Sequence, residues 1–259
     1  LRVFTAGGTP LGPLPTEWTG LDIEPYAEGS SGYADGTFTV RGGGDIWGDL
    51  DHFHYVYRVL AGDGTLTARI TGLAGANPWA KAGVMVRASV AGNAPYAMMM
   101  ATASQGFHLQ SRRTVGGQTD WQGGPDRRVP SWLRVQRVGQ TVSAFVSSDG
   151  QAWALVGAVT IPLGQNALVG LVSTSTDYTG RNDVATATFT DVSLTRPVTA
   201  GPEVDVTDRG VPIASFLPPG AGAEALVVLH DGVVPQPTTT YPTDFANQYD
   251  TYSGPTGQE

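Results

Sequence analysis

The chain has 259 residues, 41% of them hydrophobic, no cysteine, and no apolar run near the ~18–20 residues that span a bilayer, so disulfides, thiolate chemistry and a membrane-spanning helix are excluded. Its 35 glycines and 18 prolines argue against a helical bundle and for a turn-rich β protein. A net charge of −8 without any basic cluster leaves neither nucleic acid nor an anionic membrane surface as a partner, since both need clustered Lys and Arg.

Residues 1–16 (LRVFTAGGTPLGPLPT) are rich in Pro and Gly and read as an extended N-terminal arm with Leu1, Val3 and Phe4 as its apolar contacts. Leu1 in place of an initiator Met reads as a processed end. From residue 17 to 196 the pattern becomes short period-2 runs broken by turn residues. Phe53, Tyr55, Tyr57 and Val59 form one strand face, and Leu66, Ala68 and Ile70 alternate with Thr65, Thr67 and Arg69. Val142, Ala144 and Val146 repeat the pattern, as do Ala185, Ala187 and Phe189 against Thr186, Thr188 and Thr190. Gly62-Asp63-Gly64, Gly116-Gly117 and Asp149-Gly150 supply the positive φ of tight hairpins. About a dozen such strands, with no helical stripe, predict an all-β fold of two antiparallel sheets packed face to face, a jelly-roll sandwich.

Residues 197–259 differ in character. They hold eight acidic residues (Glu203, Asp205, Asp208, Glu224, Asp231, Asp244, Asp250, Glu259) against Arg209 alone. Short strands at 204–206, 211–216 and 225–229 are punctuated by proline, and the run 235–241 (PQPTTTY) offers Thr238, Thr239 and Thr240 to O-glycosylation. Such a tail cannot bury enough apolar surface to order itself alone. It reads as an assembly arm, with Val211, Ile213, Phe216, Leu226, Val228, Phe245 and Tyr249 as contacts to another copy of the chain. Strand addition between copies, repeated without closure, makes a homo-polymer.

Several segments of the middle region occur together in order. They are 43–48 (GGDIWG), 51–57 (DHFHYVY), 62–69 (GDGTLTAR), 81–87 (KAGVMVR), 132–137 (WLRVQR), Ser148-Asp149-Gly150 and Val169-Gly170-Leu171. Together they resemble the concanavalin A-like domains of bacterial secreted proteins labelled DUF1349 or "regulation of enolase protein 1"-like. The resemblance spans about residues 18–196. It implies a jelly-roll sandwich and an exported, extracellular or cell-surface protein, and leaves both arms uncovered.

Catalysis finds little support in these residues. Glucanases of concanavalin A-like fold set two carboxylates on a Glu-x-Asp-x-x-Glu strand, but this chain has no glutamate between Glu28 and Glu203. No Gly-x-Ser-x-Gly elbow or phosphate-cradling loop occurs. The sequence therefore predicts a non-catalytic protein with no required cofactor. Asp45, Asp49 and Asp51 could hold calcium or simply cap turns, and Asp22 with Asp191 could hold a structural calcium near the sandwich ends. His52 and His54, at i and i+2, could be two zinc ligands with His108 or Asp51 as a third.

Two functions stand side by side. The first is a self-assembling extracellular filament, sheath or surface layer joined through the arms. The alternative is carbohydrate binding, which needs exposed Trp beside planar polar groups. Trp79 and Trp121 lie in Gly/Pro/Asn-rich loops and are the expected sugar platforms, with Asp120, Gln122, Arg127 and Arg128 flanking Trp121. Trp47, Trp132 and Trp153 lie in strand contexts and are expected in the core. Arg87, Arg112, Arg134 and Arg137 would either line the open sheet face or pair with carboxylates to tie the sheet together.

Overall fold

The computed structural model describes residues 11–126, 128–176 and 183–197. These form sixteen strands, numbered in chain order, and no helix. Two seven-stranded antiparallel sheets make a jelly-roll sandwich. The first sheet runs β1 (Thr19–Ile23), β6 (Phe53–Ala61), β15 (Asn166–Thr174), β8 (Lys81–Arg87), β9 (Tyr96–Thr102), β10 (Phe107–Arg112), β11 (Thr119–Gly123). The second runs β14 (Ala154–Thr160), β13 (Thr141–Ser147), β12 (Ser131–Val138), β7 (Gly64–Ala74), β16 (Ala185–Thr195), β3 (Thr37–Gly42), β2 (Ser30–Ala34). A two-stranded hairpin, β4 (Ile46–Trp47) and β5 (Leu50–Asp51), stands apart from both.

The expected alternation is what builds the core. Leu66, Ala68 and Ile70 of β7, Val142, Ala144 and Val146 of β13, and Ala187 and Phe189 of β16 meet Val84, Met99 and Leu171 of the first sheet in one buried cluster. The positions between them on β7, Thr65, Thr67 and Arg69, are half-exposed. At Gly170 a Cβ would come within 2.1 Å of the Val56 carbonyl, which is why β15 carries a glycine where it passes beside β6.

Strands β8, β9 and β10 depart from simple alternation, being buried at every position. Their outer face carries a second apolar layer of Met85, Tyr96, Met98 and Met100, joined by Tyr55 of β6 and closed by Ile46 of the hairpin. A sandwich needs cover on only one face of each sheet, so this layer means that part of the outer face is filled rather than open. The described part of the N-terminal arm also lies on its own sandwich. The Tyr33 backbone N–H donates to the Gly12 carbonyl at 3.1 Å, and Leu14 packs against the core. The arm residues Leu1, Val3 and Phe4, and the tail residues Val211, Ile213, Phe216, Leu226, Val228, Phe245 and Tyr249 with Thr238, Thr239 and Thr240, lie outside the described residues. Among the described residues no helix is long and apolar enough to cross a membrane.

Candidate functional site

The hairpin that covers the second apolar layer is held by charge. Asp51, at the end of β5, is wholly buried and lies between Arg87 of β8 and Arg112 of β10, both also wholly buried. Its Oδ2 accepts from Arg87 Nη1 and Arg112 Nη1 at 2.6 Å each, and its Oδ1 accepts from Arg112 Nη2 at 2.6 Å. Both guanidiniums also donate to carbonyls, and Arg112 Nη2 lies 3.4 Å from the Thr119 hydroxyl as well. Arg87 Nε donates to Ser89, and Arg112 donates to Gly117, Gly92 and Gly48. The Tyr96 ring lies 5.6 Å from Arg87 and 5.2 Å from Arg112, and burial with the Asp51 charge pushes its phenol well above the ordinary range. This is the Arg–carboxylate tie anticipated for Arg87 and Arg112, and it occupies the face rather than lining an open one.

Beyond that tie the face opens into a cleft of about 320 Å³ lined by Asp45, Trp47, Trp79, Lys81, Met100, Gln110, Trp121 and Thr176. Trp47 is 46% exposed, Trp79 39% and Trp121 48%, so three indole rings stand half in water around one opening. Trp79 and Trp121 meet edge to face at 6.3 Å, and the His108 ring sits 5.8 Å from the first and 4.8 Å from the second. Trp121 is opposite Gln110 in the β10–β11 register, which directs it to the outer face. Trp47 comes from the hairpin, whose tight turn needs the positive φ of Gly48 (67°).

The polar floor is a buried ion pair, Lys81 Nζ to Asp45 Oδ1 at 2.8 Å. Lys81 also donates to the Ile46 carbonyl at 3.3 Å, and Gln110 Nε2 donates to that carbonyl at 2.7 Å. Thr176 ties the floor to the rim, its hydroxyl lying 2.8 Å from the Trp79 carbonyl and 3.3 Å from Asp45 Oδ1. Its φ of 57° is unusual for a β-branched residue, and its own carbonyl accepts from Asn77 Nδ2 at 2.8 Å. Such strain persists only where neighbours impose it. Here they are the residues that place Trp79.

His108 responds to this setting. Its Nε2 donates to the Gln105 carbonyl at 2.9 Å, and burial, with Lys81 adding to it, pushes the imidazole pKa below its ordinary value. The unfolded chain therefore binds more protons than the folded one as pH drops through about 6.5, and stability is lost in that direction. Urea titrations at pH 7 and pH 5 should show a larger loss for the wild type than for His108→Gln. Equal losses would mean that His108 does not carry this dependence.

The structure separates the sequence-predicted residues. Trp79 and Trp121 come together as sugar platforms would. Gln122 does not join them, because neighbouring strand residues face opposite ways, and its Nε2 donates to the Val156 carbonyl of the other sheet at 2.7 Å. Asp120 is exposed and accepts from the Trp121 backbone N–H at 2.8 Å. Arg128 donates to the Ser104 carbonyl at 3.1 Å, and Arg127 lies outside the described residues. Trp47 is not in the core, since the hairpin lifts it to the rim of the cleft. Trp132 and Trp153 are half-exposed on the second sheet, where the Arg134 guanidinium lies 3.7 Å over the Trp153 ring. Arg137 caps the Gly139 and Gly164 carbonyls.

The pairing of Asp45 with Lys81 was not foreseen. Its signal was available, since Lys81 is the chain's only lysine and follows Trp79 by two residues on an emerging strand. Among the described residues no three His, Asp or Glu side chains group as a metal site would need. Asp22 and Asp191 lie on strands of different sheets, Asp22 taking hydrogen bonds from Gly29 and His54, and Asp191 one from Thr190. His52 Nδ1 bonds the Glu24 carbonyl, while His54 lies between Asp22 and Ser31, so the two histidines serve different partners.

Residues 39–197 match the family described as Protein of unknown function (DUF1349). No curated protein matches the chain. Among solved structures, a functionally unknown protein from Saccharomyces cerevisiae is 24% identical with a TM-score of 0.54, covering 71% of this chain and 98% of its own. The carbohydrate binding module CBM66 from Bacillus subtilis is 17% identical with a TM-score of 0.47, covering 72% and 100%. Lectin I-B4 from Griffonia simplicifolia is 7% identical with a TM-score of 0.44, covering 70% and 94%. The likeness to the yeast protein is one of fold.

Proposed function

The chain belongs to the DUF1349 family, and from the cleft that this sandwich carries we propose that it binds a neutral carbohydrate. The observation that carries the reading is the convergence of Trp47, Trp79 and Trp121 on one opening above a paired carboxylate and ammonium. A sugar ring offers apolar C–H faces to indole and hydroxyls to groups at its edge. Asp45 accepts and Lys81 donates from neighbouring positions, which suits two adjacent hydroxyls. Their charges cancel, so the lining carries no net charge to attract a uronate or a quaternary ammonium.

The cleft is built to bind rather than to cleave. Glycoside hydrolysis needs two carboxyl groups across the scissile bond, and the lining supplies Asp45 alone, held by Lys81. A setting outside the cell or at its surface, where such polymers are met, is part of this proposal. The reading of a self-assembling filament rests on arm residues outside the described ones, and no observation on the sandwich adds to it. Affinity electrophoresis through gels containing xylan, galactan, glucan or alginate tests the proposal. Retardation by at least one neutral polymer and none by alginate is expected, and free migration through all of them would overturn it.

A further inference from the structure

Away from the cleft, three strands bring Ser31, His54 and Asp22 into a chain of hydrogen bonds. His54 Nδ1 lies 2.6 Å from Asp22 Oδ1, and His54 Nε2 lies 3.0 Å from Ser31 Oγ. A carboxylate only accepts, so Nδ1 carries the ring hydrogen and Nε2 presents its lone pair to the serine hydroxyl. Asp22 is fixed in turn by the Gly29 N–H, 3.2 Å and 3.1 Å from its two oxygens. His54 is buried, while Asp22 and Ser31 are half-exposed. Two glycines make room for the constellation. A Cβ at Gly20 would come within 2.5 Å of Ser31 Oγ, and one at Gly29 within 2.5 Å of His54 Nδ1.

Nucleophile, base and orienting carboxylate thus occupy the order and atoms that activate serine in hydrolases, without a sequence motif, because the three residues come from β2, β6 and β1. We propose that Ser31 is an activated nucleophile that takes an acyl group from esters. In that step Ser31 Oγ forms a bond to the ester carbonyl carbon while its proton passes to His54 Nε2. The bond from that carbon to the ester oxygen breaks, and Nε2 returns the proton to the departing alcohol. Water, losing a proton to Nε2, then releases the acid and restores the serine. Asp22 holds the ring and balances its transient charge.

Labelling of the full chain with a fluorophosphonate probe, read by intact mass and peptide mapping, tests this. One adduct on Ser31 is expected, forming about a hundredfold or more faster than in His54→Gln, the usual range of base assistance. Trp121→Ala should label normally, because the two sites are independent. Absence of an adduct on Ser31 in the folded wild type, or an equal rate in His54→Gln, would overturn the proposal and reduce the three residues to a polar tie between the sheets.

Discussion

Asp51→Asn is expected to lower the free energy of unfolding by roughly 3–5 kcal/mol, the range for breaking a buried ion pair from one side. Asp51 is the one carboxylate between two wholly buried guanidiniums, and asparagine would leave both without a counter-charge. The carbonyls of Ser89, Ala91, Gly92, Gly117 and Gly48 would still take their protons but could not neutralise them. Because Asp51 closes the hairpin that carries Trp47, the variant should also lose part of its sugar affinity while still folded. Urea denaturation at pH 7 measures the first effect. A change below about 1 kcal/mol, the scale of an exposed pair, would mean that the hairpin is not held this way.

Trp121→Ala is expected to weaken binding of a retained neutral glycan about thirtyfold or more, since a central aromatic anchor carries on the order of 2 kcal/mol. The ring is nearly half exposed and packs on Trp79 and His108 rather than in the core, so its loss should leave the melting temperature within a few degrees. Trp153→Ala serves as the contrast, because that ring stacks under Arg134 on the second sheet. It should leave affinity unchanged. If both variants bind like the wild type, the cleft is not the sugar site.

Much of this molecule can be read from its sequence, and the gaps have physical causes. The alternation of Leu66, Ala68 and Ile70 against threonines predicts a half-buried strand because a sheet buries one face. The same rule misplaces Trp47. Next to a strand-like motif it reads as core, whereas a separate two-residue strand turns it outward. Arg87 reads equally well as a lining residue or as one half of a carboxylate tie, because its partner Asp51 is 36 residues away in sequence and no spacing links the two. Trp121 stands out in a Gly-rich stretch that reads as a loop but forms strand β11, and Gln122 beside it is misassigned because adjacent strand positions point to opposite faces of the sheet. Ser31, His54 and Asp22 escape sequence reading because no spacing links them.

The most direct test of the carbohydrate reading is an isothermal titration of the full chain with neutral oligosaccharides from the polymer that retards it, run beside a Trp79→Ala, Trp121→Ala double variant. Saturable binding to one site in the wild type, lost in a double variant that melts at the same temperature, is the predicted result. Equal binding by the folded double variant would contradict the account.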